Sequence, residues 1–97
     1  MKIKNMLDSS KIYISDPDGM SWIDWWRKQT GSKRTTCCVK NCGEIAEGAH
    51  VVEVDKKEPV YILPLCHNHN MKENWTLNVL DESLLVHCPD RYRQDKQ

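Results

Sequence analysis

Five cysteines and four histidines are the residues of this chain whose types and spacing could do chemistry. The cysteines stand at positions 37, 38, 42, 66 and 88, and the histidines at 50, 67, 69 and 87. An odd number of thiols makes a poor disulfide framework. The N-terminal stretch MKIKNMLDSSKIYI also lacks the continuous apolar run of a secretory signal. The spacing fits a metal better. Zinc takes four soft or borderline ligands at tetrahedral geometry, and short turns deliver them in pairs because a turn lets two side chains converge.

One pair is Cys37 or Cys38 with Cys42, where Gly43 supplies the backbone freedom of a tight knuckle. Both spacings occur in zinc knuckles; Cys37 is favoured, with Cys38 a small packed residue. The second pair is Cys66 with His69, whose two-residue gap suits the first turn of a helix, and His67 is the alternative. The expected set is therefore Cys37, Cys42, Cys66 and His69 around a structural Zn2+. With four ligands assigned, His87 and Cys88 read as ordinary strand residues.

These ligands need elements to position them. Residues 46–54 alternate in the manner of a strand, a polar connector follows at 55–59, and 60–63 returns as a second strand. A helix is expected over 68–75, its first turn carrying His69. Upstream, Met20, Trp22, Ile23, Trp25 and Trp26 recur at helical spacing within 15–31, with Gly31 as the stop. A Trp-rich helix reads as core packed on the zinc module, and exposed indoles stacking on bases are the alternative. Residues 1–14 form an N-terminal arm or edge strand, with 11–14 as its alternating run. Residues 76–88 hold short strands, and 89–97 a flexible tail.

The composition bounds the rest. Ninety-seven residues make one domain with a small core that needs a staple. No stretch approaches the roughly 18 apolar residues of a membrane span, so an intracellular, cytoplasmic protein is expected. Fourteen basic and fourteen acidic side chains cancel, so the net charge does not argue for a nucleic-acid binder. The local pattern is less even. Arg27, Lys28, Lys33 and Arg34 fall in a run with no acid between Asp24 and Glu44, either a solvated face or a phosphate-contacting stretch.

Knuckle, hairpin, then a helix carrying the second ligand pair resembles a treble-clef zinc finger, and the particular string resembles the HNH nuclease superfamily. The matching pieces are Cys37 to Gly43, Gly48-Ala49-His50-Val51-Val52, and Tyr61 to Asn70, within residues 34–75. The upstream Trp helix and Arg34-Thr35-Thr36-Cys37 also resemble small HNH-like proteins of bacteria and their phages. The resemblance implies a small α+β fold, a zinc-stabilised ββα module with an N-terminal Trp-rich helix. It further implies a metal-dependent endonuclease acting on DNA. In such an enzyme His50 would be the general base, and Asn70, with Glu73 as a further candidate, would help hold Mg2+ or Mn2+. The chain departs from the family where Ala49 stands in place of an acidic metal ligand that often precedes the catalytic histidine, where Tyr61 stands near the usual orienting Asn, and where Glu73 and Asn74 occupy helix positions that often hold another His or Lys. The alternative is a non-catalytic zinc-finger module that binds nucleic acid or a protein partner, such as a phage-encoded inhibitor. The bland readings are a locally packed hairpin histidine for His50, and helix-start caps for Asn68 and Asn70.

Overall fold

A computed structural model describes residues 1–6 and 8–94. In chain order the strands are β1 (Lys2–Asn5), β2 (Ala46–Glu53), β3 (Val60–Cys66), β4 (Thr76–Asn78) and β5 (Val86–His87). The helices are α1 (Ser9–Ile12), α2 (Trp22–Thr30) and α3 (His67–Asn70). All pairings are antiparallel, in the order β4-β1-β2-β3-β5. No helix among the described residues is long and apolar enough to cross a membrane.

The β2–β3 hairpin is the centre of the sheet, with register running from Ala46 opposite Cys66 to Val52 opposite Val60. Side chains alternate across a strand, so even and odd positions serve different layers. His50, Val52, Val60 and Ile62 face α2 and join a core with Tyr13, Trp22, Trp25, Trp26 and Tyr92. Ala49, Val51, Leu63 and Leu65 face the other way and pack with Ile3, Cys37, Cys66 and Val79. A hairpin buried on both faces explains why its strands are apolar nearly throughout.

Helix α2 follows its sequence signals. Ser21 caps the start by accepting from the Asp24 N–H at 3.2 Å, and Gly31 ends it at φ 73° with its N–H on the Arg27 carbonyl. Gly48 lets the helix approach the sheet, because a Cβ there would lie 2.6 Å from the Trp22 backbone carbon.

Four expectations are corrected. The strand of the N-terminal arm is β1, not 11–14, and it is an interior strand with β2 and β4 on either side. Residues 9–12 make the single turn α1 because Asp8, at φ 57°, turns the chain off the β1 line. Helix α2 begins at Trp22, not at 15, since Pro17–Gly19 forms a separate 3-10 turn and the extended residues Met20 (φ −127°, ψ 168°) and Ser21 (φ −67°, ψ 159°) part it from the helix. The helix expected over 68–75 is only the four residues of α3, and Asn74 takes φ 54° where a longer helix would continue. The segment after 89 is packed as far as 94: Tyr92 is buried, its hydroxyl donates to Asp18 at 2.7 Å, and the Gln94 N–H donates to the Ile12 carbonyl. Residues 95–97 of the expected tail lie outside the described residues.

Candidate metal centre

The knuckle is a loop closed at its base. Thr36 bridges Ile45, the Cys37 N–H donates to the Glu44 carbonyl, and the Cys42 N–H donates to the Val39 carbonyl at 3.0 Å. Asn41 and Gly43 flank Cys42 with φ of 66° and 71°, which turns the Cys42 thiol back toward Cys37. Opposite, Cys66 ends β3 and caps α3: its sulfur accepts from the His69 N–H at 3.4 Å. The Cys38 N–H donates to the Pro64 carbonyl at 2.9 Å, pinning the knuckle to β3 just ahead of Cys66.

The outcome is one cluster. Donor atoms of Cys37, Cys42, Cys66 and His69 all lie within 4.8 Å of one another. The His69 Nδ1 is 3.6, 3.7 and 3.1 Å from the sulfurs of Cys37, Cys42 and Cys66, and the Cys42 and Cys66 sulfurs are 3.8 Å apart. For zinc bonds of ~2.3 Å to sulfur and ~2.0 Å to nitrogen, tetrahedral edges come to about 3.8 Å between sulfurs and about 3.5 Å from sulfur to nitrogen. These four separations are of the size such a metal sets, with Cys66 to His69 the shortest of them, and Cys37 lies within 4.8 Å of the other two sulfurs. Three soft thiolates and an imidazole are also a zinc-type donor set. Burial pushes the Cys37 thiol up, whereas at Cys66 hydrogen bonds from the His69 amide, Cys42 and Cys37 outweigh burial and hold it below its ordinary value.

The surroundings fix these ligands. Trp75 stacks on the His69 ring at 5.2 Å, and the Asn5 side-chain amide donates to the carbonyls of His69 and Lys72 at 2.8 and 3.1 Å. The Arg34 guanidinium donates to the carbonyls of Thr36 and Cys37, both at 3.2 Å, and so ties down the start of the knuckle. Such outer partners orient metal ligands. Cys38 and Cys88 stand outside the cluster. Burial pushes their thiols up to about 11 and about 12, and Cys88 is in the α2-side core. His87 is exposed at the end of β5.

His50 is packed within the α2-side core. Its ring stacks on Tyr13 at 4.8 Å and meets Trp22 edge to face at 4.6 Å, and only 7% of the residue is exposed. Its Nε2 is buried without a hydrogen-bond partner among the described residues, and burial lowers its pKa to about 4. Asn70 is on the other face of the hairpin, where its amide donates to Glu47 Oε2 at 2.8 Å. The same carboxylate holds His67 Nδ1 through Oε1 at 2.8 Å, so the alternative zinc ligand is paired with an acid instead. The expected pair His50 and Asn70 is thus divided by the sheet, and Glu73 lies exposed beyond α3.

Two of the four basic candidates have partners within the chain. Arg27 donates to the Arg34 carbonyl at 2.7 Å and pairs with Asp24 at 2.6 Å, while Arg34 is committed to the knuckle. Lys28 and Lys33 are exposed. Sequence reasoning missed Glu47 and Asn5. The hairpin register, which sets Glu47 opposite Leu65 at the base of α3, was the available signal for the first. Asn5 reaches a partner 64 residues away and had none.

No family model, curated protein or solved structure matches the chain.

Proposed function

We propose that this protein is a zinc-stapled binding module that keeps the treble-clef scaffold of the HNH-like proteins its sequence resembles but carries no hydrolytic centre. The observation that supports this most strongly is the position of His50, sealed between Tyr13 and Trp22. A base for phosphodiester hydrolysis must reach the proton of an attacking water, and this imidazole faces aromatic rings instead. Mg2+ or Mn2+ would need hard oxygen ligands beside it, and its neighbour is Ala49. Zn2+ held by Cys37, Cys42, Cys66 and His69 would tie the knuckle to the end of β3 and the start of α3. It would supply stability that so small a core lacks, and no acid–base chemistry. What remains for function is the surface, and the module acts by binding nucleic acid or a protein partner.

The test is a plasmid-nicking assay with Mg2+ and with Mn2+, run on protein whose zinc content is measured by native mass spectrometry. The expected result is one Zn2+ per chain and supercoiled plasmid left intact. Divalent-dependent nicking that disappears in Asn70→Ala, with zinc retained, would overturn the proposal.

A further inference from the structure

A cleft of about 1040 Å3 opens between the β2–β3 turn and the segment behind α3. Five cations line it: Lys4 from β1, Lys56 and Lys57 from the turn, Lys72 behind α3, and Arg93. They face two carboxylates, Glu58 and Glu73, in a chain whose overall charge is zero. Lys56 is paired with Glu53 at 3.6 Å, and Arg93 lies over the Tyr13 ring at 5.7 Å. Lys4, Lys57 and Lys72 are exposed and have no carboxylate partner among the described residues. Between these cations the cleft is lined with Met6, Ile12, Val52 and the half-buried Trp75.

The geometry points to this cleft as a binding site for single-stranded nucleic acid, an assignment that rests on reading the chain as a non-hydrolytic binding module. The two halves of the cleft ask for two properties in one ligand. The lysines ask for repeated negative charge, and the apolar surface with its indole asks for planar, weakly polar groups. A single strand presents phosphates to the first and bases to the second. A duplex keeps its bases stacked inside a convex cylinder and would meet the lysines alone. The Arg27 to Arg34 run is the weaker candidate, because its two guanidinium groups are already spent on backbone carbonyls. The cleft is also joined to the metal centre, since Trp75 stacks on His69 and Asn5 bonds the carbonyls of His69 and Lys72.

The experiment is fluorescence anisotropy on the zinc-loaded full chain with a labelled mixed-sequence DNA strand of about 12 nucleotides, its duplex, and an acidic peptide. The single strand should bind best, with affinity falling by about 0.7 log units per log unit of salt for each phosphate neutralised. Lys4→Glu, Lys57→Glu and Lys72→Glu together should weaken it at least ~10-fold and flatten the salt slope by about 2, while Lys28→Glu with Lys33→Glu should change it less than ~2-fold. Equal zinc content and melting curves confirm that the variants fold. Binding lost through the Lys28 and Lys33 variant instead, tighter binding of the peptide or the duplex, or no binding at low salt overturns the assignment and leaves the module reading standing. A denaturing gel of the same samples separates the two, because a shortened strand would mean that the module reading itself has failed.

Discussion

The imidazole of His50 meets the indole of Trp22 edge to face, ring centroids 4.6 Å apart and planes at 79°, with Tyr13 stacked on its other side at 4.8 Å. The site has room for a neutral ring and none for the hydration of a charged one. Burial accordingly takes the pKa from an ordinary 6.5 to about 4. Since the folded value is the lower one, the unfolded chain binds the extra proton as pH falls, and stability is lost between pH 6.5 and 4. Between pH 7.5 and 5 this group alone should account for a loss on the order of 2 kcal/mol. Acid also protonates zinc ligands, so the measurement is a difference: urea denaturation of wild type and His50→Leu at both pH values. The variant should lose less stability than wild type by about that amount, and equal losses would refute the assignment.

Removing Cys66 should unmake the metal centre, and removing Cys38 or Cys88 should not. Cys66 is one of the four clustered donors, the end of β3 and the cap of α3, so Cys66→Ser should abolish zinc binding and broaden the thermal transition. The sulfurs of Cys38 and Cys88 lie outside the cluster, so Cys38→Ser and Cys88→Ser should keep full zinc content by plasma mass spectrometry. Zinc lost from Cys38→Ser would move the knuckle ligand by one residue.

The Cys/His cluster was legible in the sequence because its four members fall in two close pairs: the Cys37–Cys42 turn and the Cys66–His69 turn each close within six residues. The hairpin and the Trp helix were legible for the same reason, through period-two alternation and through the helical spacing of Trp22, Ile23, Trp25 and Trp26 ahead of the Gly31 stop. What was not legible depended on distance. The neighbours of His50 in sequence match a motif, but the rings that enclose it, Tyr13 and Trp22, arrive from far upstream. The stretch after residue 89 looked like a tail because it is polar, but one buried aromatic, Tyr92, is enough to dock it on Trp22 and Trp25. The order of β1 between β2 and β4 joins segments more than forty residues apart, and no local pattern reports that pairing.

Trp26 should be a costly truncation. It is fully buried between α2 and the sheet, and its indole N–H donates to the Leu84 carbonyl at 2.8 Å. Trp26→Ala opens a large cavity and strands that carbonyl, so a loss of roughly 3–5 kcal/mol is expected in chemical denaturation. A change below about 1 kcal/mol would mean that the helix is a surface element whose indoles are free for a partner.

Gly48 should be as sensitive as a large core residue although it has no side chain to lose. Its φ is not in the left-handed region, so the backbone there accepts any L residue, and the only objection to a methyl group is space. That objection is severe. The added Cβ would sit 2.6 Å from both the backbone carbon and the Cβ of Trp22, and 2.8 Å from the Ile23 nitrogen. None of these atoms is the end of a flexible side chain, so relief requires moving the start of α2 away from β2. Such a shift would also loosen the Trp22 contacts with His50 and Tyr92. Gly48→Ala should therefore cost about 1–3 kcal/mol, the range for overpacking a close-fitted core. Gly31→Ala is the control, because nothing lies within 4 Å of its Cβ and its cost comes from φ 73° alone. If denaturation midpoints rank Gly31→Ala as more damaging than Gly48→Ala by over 1 kcal/mol, α2 does not rest on the strand as closely as described.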